Sequence, residues 1–255
     1  MITVYVAGYP KSGTTWLTRL LGDALCCKTG GSVPSEDLKE VAAETFGDNL
    51  DIIIRKGHFR LHDELSKVPV PKKHTMYWKA LKENEHKVVF IVRDPRDIVV
   101  SGAHYWGTPT RKFLHHLLRG ENGLRFVGSW KEYMLEWLSR YKNFNAILVR
   151  YEDLLVGYIE LTKVLSALKI DVPDNKVRKA YERQNFRNRH HDIMLNGERY
   201  NLGRSQNLKL LRKGVSGDWR THFEIKDAEL LEKHLGKLLQ LLNYTRNSSW
   251  IQEWK

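Results

Sequence analysis

The segment AGYPKSGTTW, residues 7–16, lies between the apolar run ITVYVA and the helix-like run LTRLLGDAL. A buried strand that breaks into a glycine-containing turn and resumes as a helix has few possible settings. It reads as the strand–loop–helix unit of a parallel α/β sheet, whose loop N–H groups and positive helix end face an anion. Gly8 and Gly13 fall on the glycine positions of the phosphate-binding pattern G-x-x-x-x-G-K-[ST], but Thr14 stands where that pattern has lysine. The lysine is instead Lys11, inside the turn. Ser12, Thr14 and Thr15 add hydroxyl donors there, although Ser and Thr at a helix start serve equally well as caps.

The alternation continues along the chain. Residues 2–7, 51–55 (DIIIR), 87–92 (KVVFIV) and 145–150 (NAILVR) read as strands, and 14–27, 75–86, 95–106, 127–142, 155–169, 174–186 and 226–243 as helices. Pro95 opens its helix where a missing N–H is harmless. With no internal repeat or low-complexity linker, residues 1–255 are expected to form one α/β domain, a central parallel sheet flanked by helices. Ligands of such sheets bind beyond the carboxyl ends of the strands, at a topological switch.

Charge narrows the ligand class. Lys and Arg number 42 against 30 Asp and Glu, a net +12, so the surface favours anions without choosing among them. The longest apolar runs, such as VVFIV at 88–92, are too short to span a bilayer, and Met1 leads into a strand with no signal-like segment, which reads as a cytoplasmic protein. Cys26 and Cys27 are sequence neighbours, an arrangement that suits two reduced thiols and lacks metal-ligand spacing.

Two further basic segments fall where the sheet rule places a ligand. RDPRDIVVS, 93–101, follows the third strand; Arg93 stands where a P-loop ATPase carries a magnesium-binding Asp, and Ser101 lies two turns along the helix. Arginine there suits a second phosphate, or else a salt bridge. LRKGVSGDWRTHF, 211–223, places Arg212 and Lys213 before Gly214 and Gly217, with Asp218 and Trp219 anchoring the next packed segment.

Together, PKSGTTW (10–16), IVRDPRDIVVS (91–101) and RKGVSGDWRTHF (212–223) resemble the three signature segments of sulfotransferases that use 3′-phosphoadenosine 5′-phosphosulfate (PAPS), most closely the cytosolic branch. The order and spacing match from near residue 2 to about 223, most of the chain. The resemblance implies that Lys11, Ser12, Gly13, Thr14 and Thr15 hold the 5′-phosphosulfate and that Trp16 stacks on adenine. It implies that Arg93, Ser101, Arg212, Lys213 and Gly214 form the 3′-phosphate pocket. Tyr181, in KAYERQNF, is matched to an aromatic of the adenine site and also suits the core of its helix.

IIIRKGHF, 52–59, resembles the family's K-x-H segment, making His58 the expected base and Lys56 its electrostatic neighbour. A histidine with an unperturbed pKa of about 6.5 can accept a proton near neutrality. The implied reaction is in-line sulfuryl transfer to a hydroxyl or amine of a small-molecule acceptor, with Lys11 and the loop N–H groups meeting charge on the leaving oxygen and no metal required. Tyr151 and Asp153 in RYEDL read as structural, one packing under the site and the other capping a helix.

Against the family pattern, the chain is expected to lack the extension that usually precedes the first strand, and EIKDAE after Phe223 matches the dimerisation motif only in part. Acceptor and oligomeric state are therefore left open. Tyr105, Trp106, Trp130 and Tyr133 are candidates for an apolar acceptor pocket or for the core. The polar stretch 187–210 is expected to be a mobile lid. Two other classes remain: a P-loop nucleotide kinase or NTPase, and a basic nucleic-acid binder, for which no recognisable module is present.

Overall fold

The computed structural model describes residues 2–30, 44–58, 86–196 and 211–254. In chain order its strands are β1 (Ile2–Gly8), β2 (Cys27–Gly30), β3 (Glu44–Thr45), β4 (Asn49–Gly57), β5 (His86–Val92) and β6 (Ile147–Arg150), in the spatial order β3-β2-β4-β1-β5-β6. All neighbours pair in parallel except β3, which runs antiparallel to β2 at one edge. The apolar residues of the strands divide by period two between two cores. Tyr5, Ala7, Val88, Phe90 and Val92 enter one, and Val4, Val6, Ile52, Ile54, Val89 and Ile91 the other.

Helices cover both faces. Against the second core lie α1 (Thr14–Ala24), α5 (Tyr151–Leu154), α6 (Tyr158–Ala167) and α7 (Asp174–Gln184), while α2 (Pro95–Trp106), α3 (Thr110–Arg119), α4 (Trp130–Arg140), α9 (Ile225–Leu241) and α10 (Trp250–Glu253) cover the first. Between them in sequence, α8 (Phe186–Asn196) follows α7 after a single extended residue, Asn185. Helix α4 starts at Trp130 rather than 127 because Ser129 and Glu132 form a reciprocal capping box, with both backbone-to-side-chain bonds at 3.2 Å. Trp137 of α4 is fully buried and stacks on Phe90 at 4.4 Å between centroids. Trp137→Ala is expected to cost about 3–5 kcal/mol in urea denaturation; a loss below about 1 kcal/mol would mean that the α4 side of this core closes up without it.

Some helix boundaries expected from sequence are corrected. The first helix stops at Ala24 rather than residue 27, because Cys26 is left-handed (φ 49°) and Cys27 opens β2. Both cysteines are free thiols, and burial, then the neighbouring Cys26, push the Cys27 thiol up to about 11. Helix 174–186 breaks at Asn185. Of the helix expected over 75–86, only His86 lies within the described residues, and it belongs to β5. The expected lid is described only to Asn196, and its 187–196 part is helical. Among the described residues no helix is long and apolar enough to cross a membrane.

β1 is the topological switch. The chain moves from it to β2 on one side, returns to its flank as β4, then continues on the other side as β5. The carboxyl ends of β1, β4 and β5 therefore open side by side.

Candidate active site

Beyond those three strand ends lies a cavity of about 690 Å³. Every residue assigned from sequence to the cofactor or to catalysis lines it except Ser12. Ser12 is fully buried behind the turn, and its Oγ has no hydrogen-bond partner. A larger concavity of about 940 Å³, between α9 and α10, contains none of the residues assigned from sequence to the cofactor or to catalysis.

The loop after β1 is built by backbone conformation. Lys11 (φ 71°) and Gly13 (φ 95°) are both left-handed, and the Ser12 N–H donates to the Tyr9 carbonyl at 3.0 Å. Glycine is required at 13 twice over, since a Cβ there would lie 2.6 Å from the Tyr151 ring. The N-cap of α1 is Gly13, which has no side chain to cap with, and the Ser12 hydroxyl beside it has no partner among the described residues. Thr15 Oγ1 accepts from Lys56 Nζ at 2.9 Å.

Cations from three separate segments converge. Lys11 Nζ lies 4.1 Å from the centroid of the Tyr105 ring; burial first, then Arg93, Arg212 and Lys56, push its pKa down to about 7. Arg93, 7% exposed, donates to the Lys11 carbonyl at 3.1 Å and to the Val215 carbonyl at 3.2 Å, with its guanidinium 4.1 Å from the centroid of the Tyr151 ring. It thus ties the loop after β1 to the segment after residue 211. Ser101 of α2 is buried at the same wall. Gly214, left-handed at φ 64°, brings its backbone against Phe186.

At one end of the cavity Trp16 Nε1 donates to the Gln184 carbonyl at 2.8 Å, and the Trp16 ring meets Tyr151 edge-on at 5.5 Å and Tyr181 at 6.3 Å. Tyr181 is half-buried, and its hydroxyl donates to the Leu154 carbonyl at 2.8 Å. Tyr151 packs under the loop as expected. Asp153 does not cap: neither α5 nor α6 has a side-chain cap bond, and Asp153 faces Arg150 at 4.0 Å.

At the other end His58 Nδ1 is 2.7 Å from the Gly8 carbonyl. Burial pushes its pKa down to about 4; the Gly8 bond opposes this, while Lys56 and Lys11 add to it. Beyond His58 the wall is aromatic: Phe126, 6.3 Å away between centroids and 47% exposed, with Tyr105 and Trp106. Trp130 and Tyr133, the other two aromatic candidates, are fully buried in the core.

Sequence reasoning passed over Arg19, Phe126, Gln184 and Phe186, which also line the cavity, as do Arg187 and Arg189 of the stretch expected to be a lid. Arg19 sits inside an apolar helical run, and the last three reach the cavity only because of the break at Asn185. Among the described residues no group of three or more His, Cys, Asp or Glu is placed to hold a metal.

Comparison with known proteins agrees with this geometry. A family model described as "Sulfotransferase domain" matches residues 2–243. Rat Sulfotransferase 2A1 is 28% identical over 249 residues, covering 88% of this chain and 80% of that protein. Rabbit "Amine sulfotransferase" is 26% identical over 255 residues, covering 90% and 78%. Among solved structures, mouse sulfotransferase SULT7A1 complexed with PAP superposes with a TM-score of 0.69 at 20% identity, covering 99% of this chain and 87% of that one. Retinol dehydratase in complex with androsterone and inactive cofactor PAP gives 0.62 at 16%, covering 93% and 80%. With the family model spanning nearly its whole length, this chain belongs to the sulfotransferase family.

Proposed function

We propose that the chain transfers a sulfuryl group from PAPS to a hydroxyl, or an amine, of a small apolar acceptor, with His58 as the general base. The contact between His58 and Gly8 carries the reading. A carbonyl oxygen can only accept, so the proton of the ring lies on Nδ1 and Nε2 keeps its lone pair. With a pKa held near 4, the imidazole is neutral at physiological pH with the Nε2 lone pair open, and a bound anion that opposes Lys56 and Lys11 would strengthen it as a base.

The residues suit PAPS. The inward turn at Gly13 and the cations Lys11, Arg93, Arg212 and Lys213 around one cavity fit an anion charged at two ends. When bound, PAPS supplies a sulfuryl group attached to a phosphate that can leave. Lys11 to Thr15 would hold the 5′ end, Trp16 and Tyr181 the adenine, and Arg93, Ser101, Arg212, Lys213 and Gly214 the 3′-phosphate. His58 Nε2 takes the acceptor proton, and Lys11 meets the charge developing on the leaving oxygen. Lys56, bonded to Thr15, adds positive potential between base and loop. Tyr105, Trp106 and Phe126 favour a flat apolar acceptor, and PAP in the solved complexes of the mouse sulfotransferase and of retinol dehydratase supports the cofactor class.

Isothermal titration calorimetry without metal tests the cofactor site. 3′-Phosphoadenosine 5′-phosphate (PAP) is expected to bind about 100-fold more tightly than AMP, as two or more charge-assisted bonds to a 3′-phosphate imply. Equal binding of ATP, strengthened by Mg²⁺, would favour the kinase reading instead.

A further inference from the structure

One acidic residue at the cavity's basic wall has no part in the reading above. The Asp218 carboxylate, 8% exposed, stands between Arg212 NH1, 2.5 Å from Oδ2, and Lys213 Nζ, 2.7 Å from Oδ1, with His222 Nε2 3.2 Å from Oδ2. Burial pushes this carboxyl up, but hydrogen bonds from Lys213 and Arg212 outweigh it and hold the group below the usual carboxylate range.

The main chain on either side of Asp218 is pinned. The N–H groups of Gly217 and Trp219 both donate to the carboxylate of Asp97 in α2, at 2.7 and 3.1 Å, and Asp97 is 1% exposed. The Trp219 indole is itself packed in the core beside Phe223 and Trp250. The counter-ion therefore sits at a point fixed relative to the same helix that carries Ser101.

Pairing with Asp218 does not exhaust either cation. A lysine ammonium has three N–H donors and an arginine guanidinium five, so each retains donors after one contact. Both also line the cavity. Lys213, with half of its side chain in solvent, is a long flexible group for which the Asp218 bond selects one position.

We infer that Asp218 is a positioning residue for the 3′-phosphate end of the cavity: its carboxylate, pinned through its neighbours by Asp97, gathers Arg212 and Lys213 into a fixed fork whose remaining donors face the phosphate. The inference rests on the reading that these two residues hold the 3′-phosphate. The shared carboxylate also offsets the repulsion between two adjacent cations.

The test compares PAP and AMP binding by calorimetry in wild type and Asp218→Asn. Asp218→Asn is expected to weaken PAP binding about tenfold or more, the scale of one lost charge-assisted bond, with AMP binding unchanged within about twofold. Equal losses for both ligands would indicate general loosening and overturn the inference. So would unchanged or tighter PAP binding, which would make Asp218 a competitor of the phosphate. If Asp218→Asn does not fold, Asp218→Glu keeps the charge but displaces it by one methylene, and should lower the PAP-to-AMP affinity ratio about threefold; an unchanged ratio overturns the inference. A wild-type protein that fails to prefer PAP over AMP would instead remove the 3′-phosphate site itself.

Discussion

With His58 as the proposed base, His58→Ala is expected to lower kcat about 10³-fold while PAP affinity stays within about threefold, because the side chain would act on the acceptor's proton rather than on the cofactor. The size follows from removing a positioned base, which is typically worth 10²–10⁴. Its pH signature has a definite sign. The free protein's imidazole carries a second proton only below about pH 4, so the limb of kcat/KM due to this residue lies on the acid side and is lost as pH falls through that value. Negative charge on a bound phosphosulfate opposes Lys56 and Lys11 and moves the corresponding limb of kcat upward. A loss smaller than about tenfold in single-turnover measurements would mean that another group takes the proton.

Lys11→Met is expected to lower kcat by about 10²–10³, the usual effect of deleting one preorganised charge partner at a leaving oxygen, while the methionine keeps an apolar stem against Tyr105. Lys11 also predicts a proton linkage. Burial and its three cationic neighbours hold its pKa near 7, so at pH 8 most molecules of the free protein carry it uncharged. An anion favours the charged form and raises that pKa. Binding at pH 8 therefore takes up close to one proton, and PAP affinity falls by up to tenfold per unit as pH rises above 7. Calorimetry in buffers of different ionisation enthalpy reads the uptake directly. No uptake in wild type, or the same uptake in Lys11→Met, would show that Lys11 does not touch the phosphate.

The central strands and the loop after β1 were readable because their signals are local. ITVYVA and KVVFIV are continuous apolar runs that only a doubly covered strand buries, and the turn between Gly8 and Gly13 has its own spacing. Boundaries failed where one backbone angle decides them. The run LLGDALCC keeps a helical apolar pattern through Cys27, and nothing in it announces the left-handed Cys26 that turns the chain into β2. The break at Asn185 hid Phe186 from the site in the same way. Aromatic spacing could not separate Trp130 and Tyr133, which fill the core, from Tyr105 and Trp106 of the cavity. The partners of Asp97 lie 120 and 122 residues away, and a distance of that kind is not encoded in any local pattern.

The register of β1 with its neighbours places Ala7 opposite Gly57 and Gly8 opposite Ile91, so His58 and Arg93 leave the sheet within about a residue of the same level as the phosphate loop. Their lateral spacing is a ladder repeat of about 4.8 Å per strand, a length set by backbone hydrogen bonds and indifferent to which apolar side chains fill the layers above and below. The helix faces turned away from the cavity can change in sequence while this spacing holds, whereas Trp16 of α1, Ser101, Tyr105 and Trp106 of α2 and Tyr181 of α7 tie the faces turned toward it to the site.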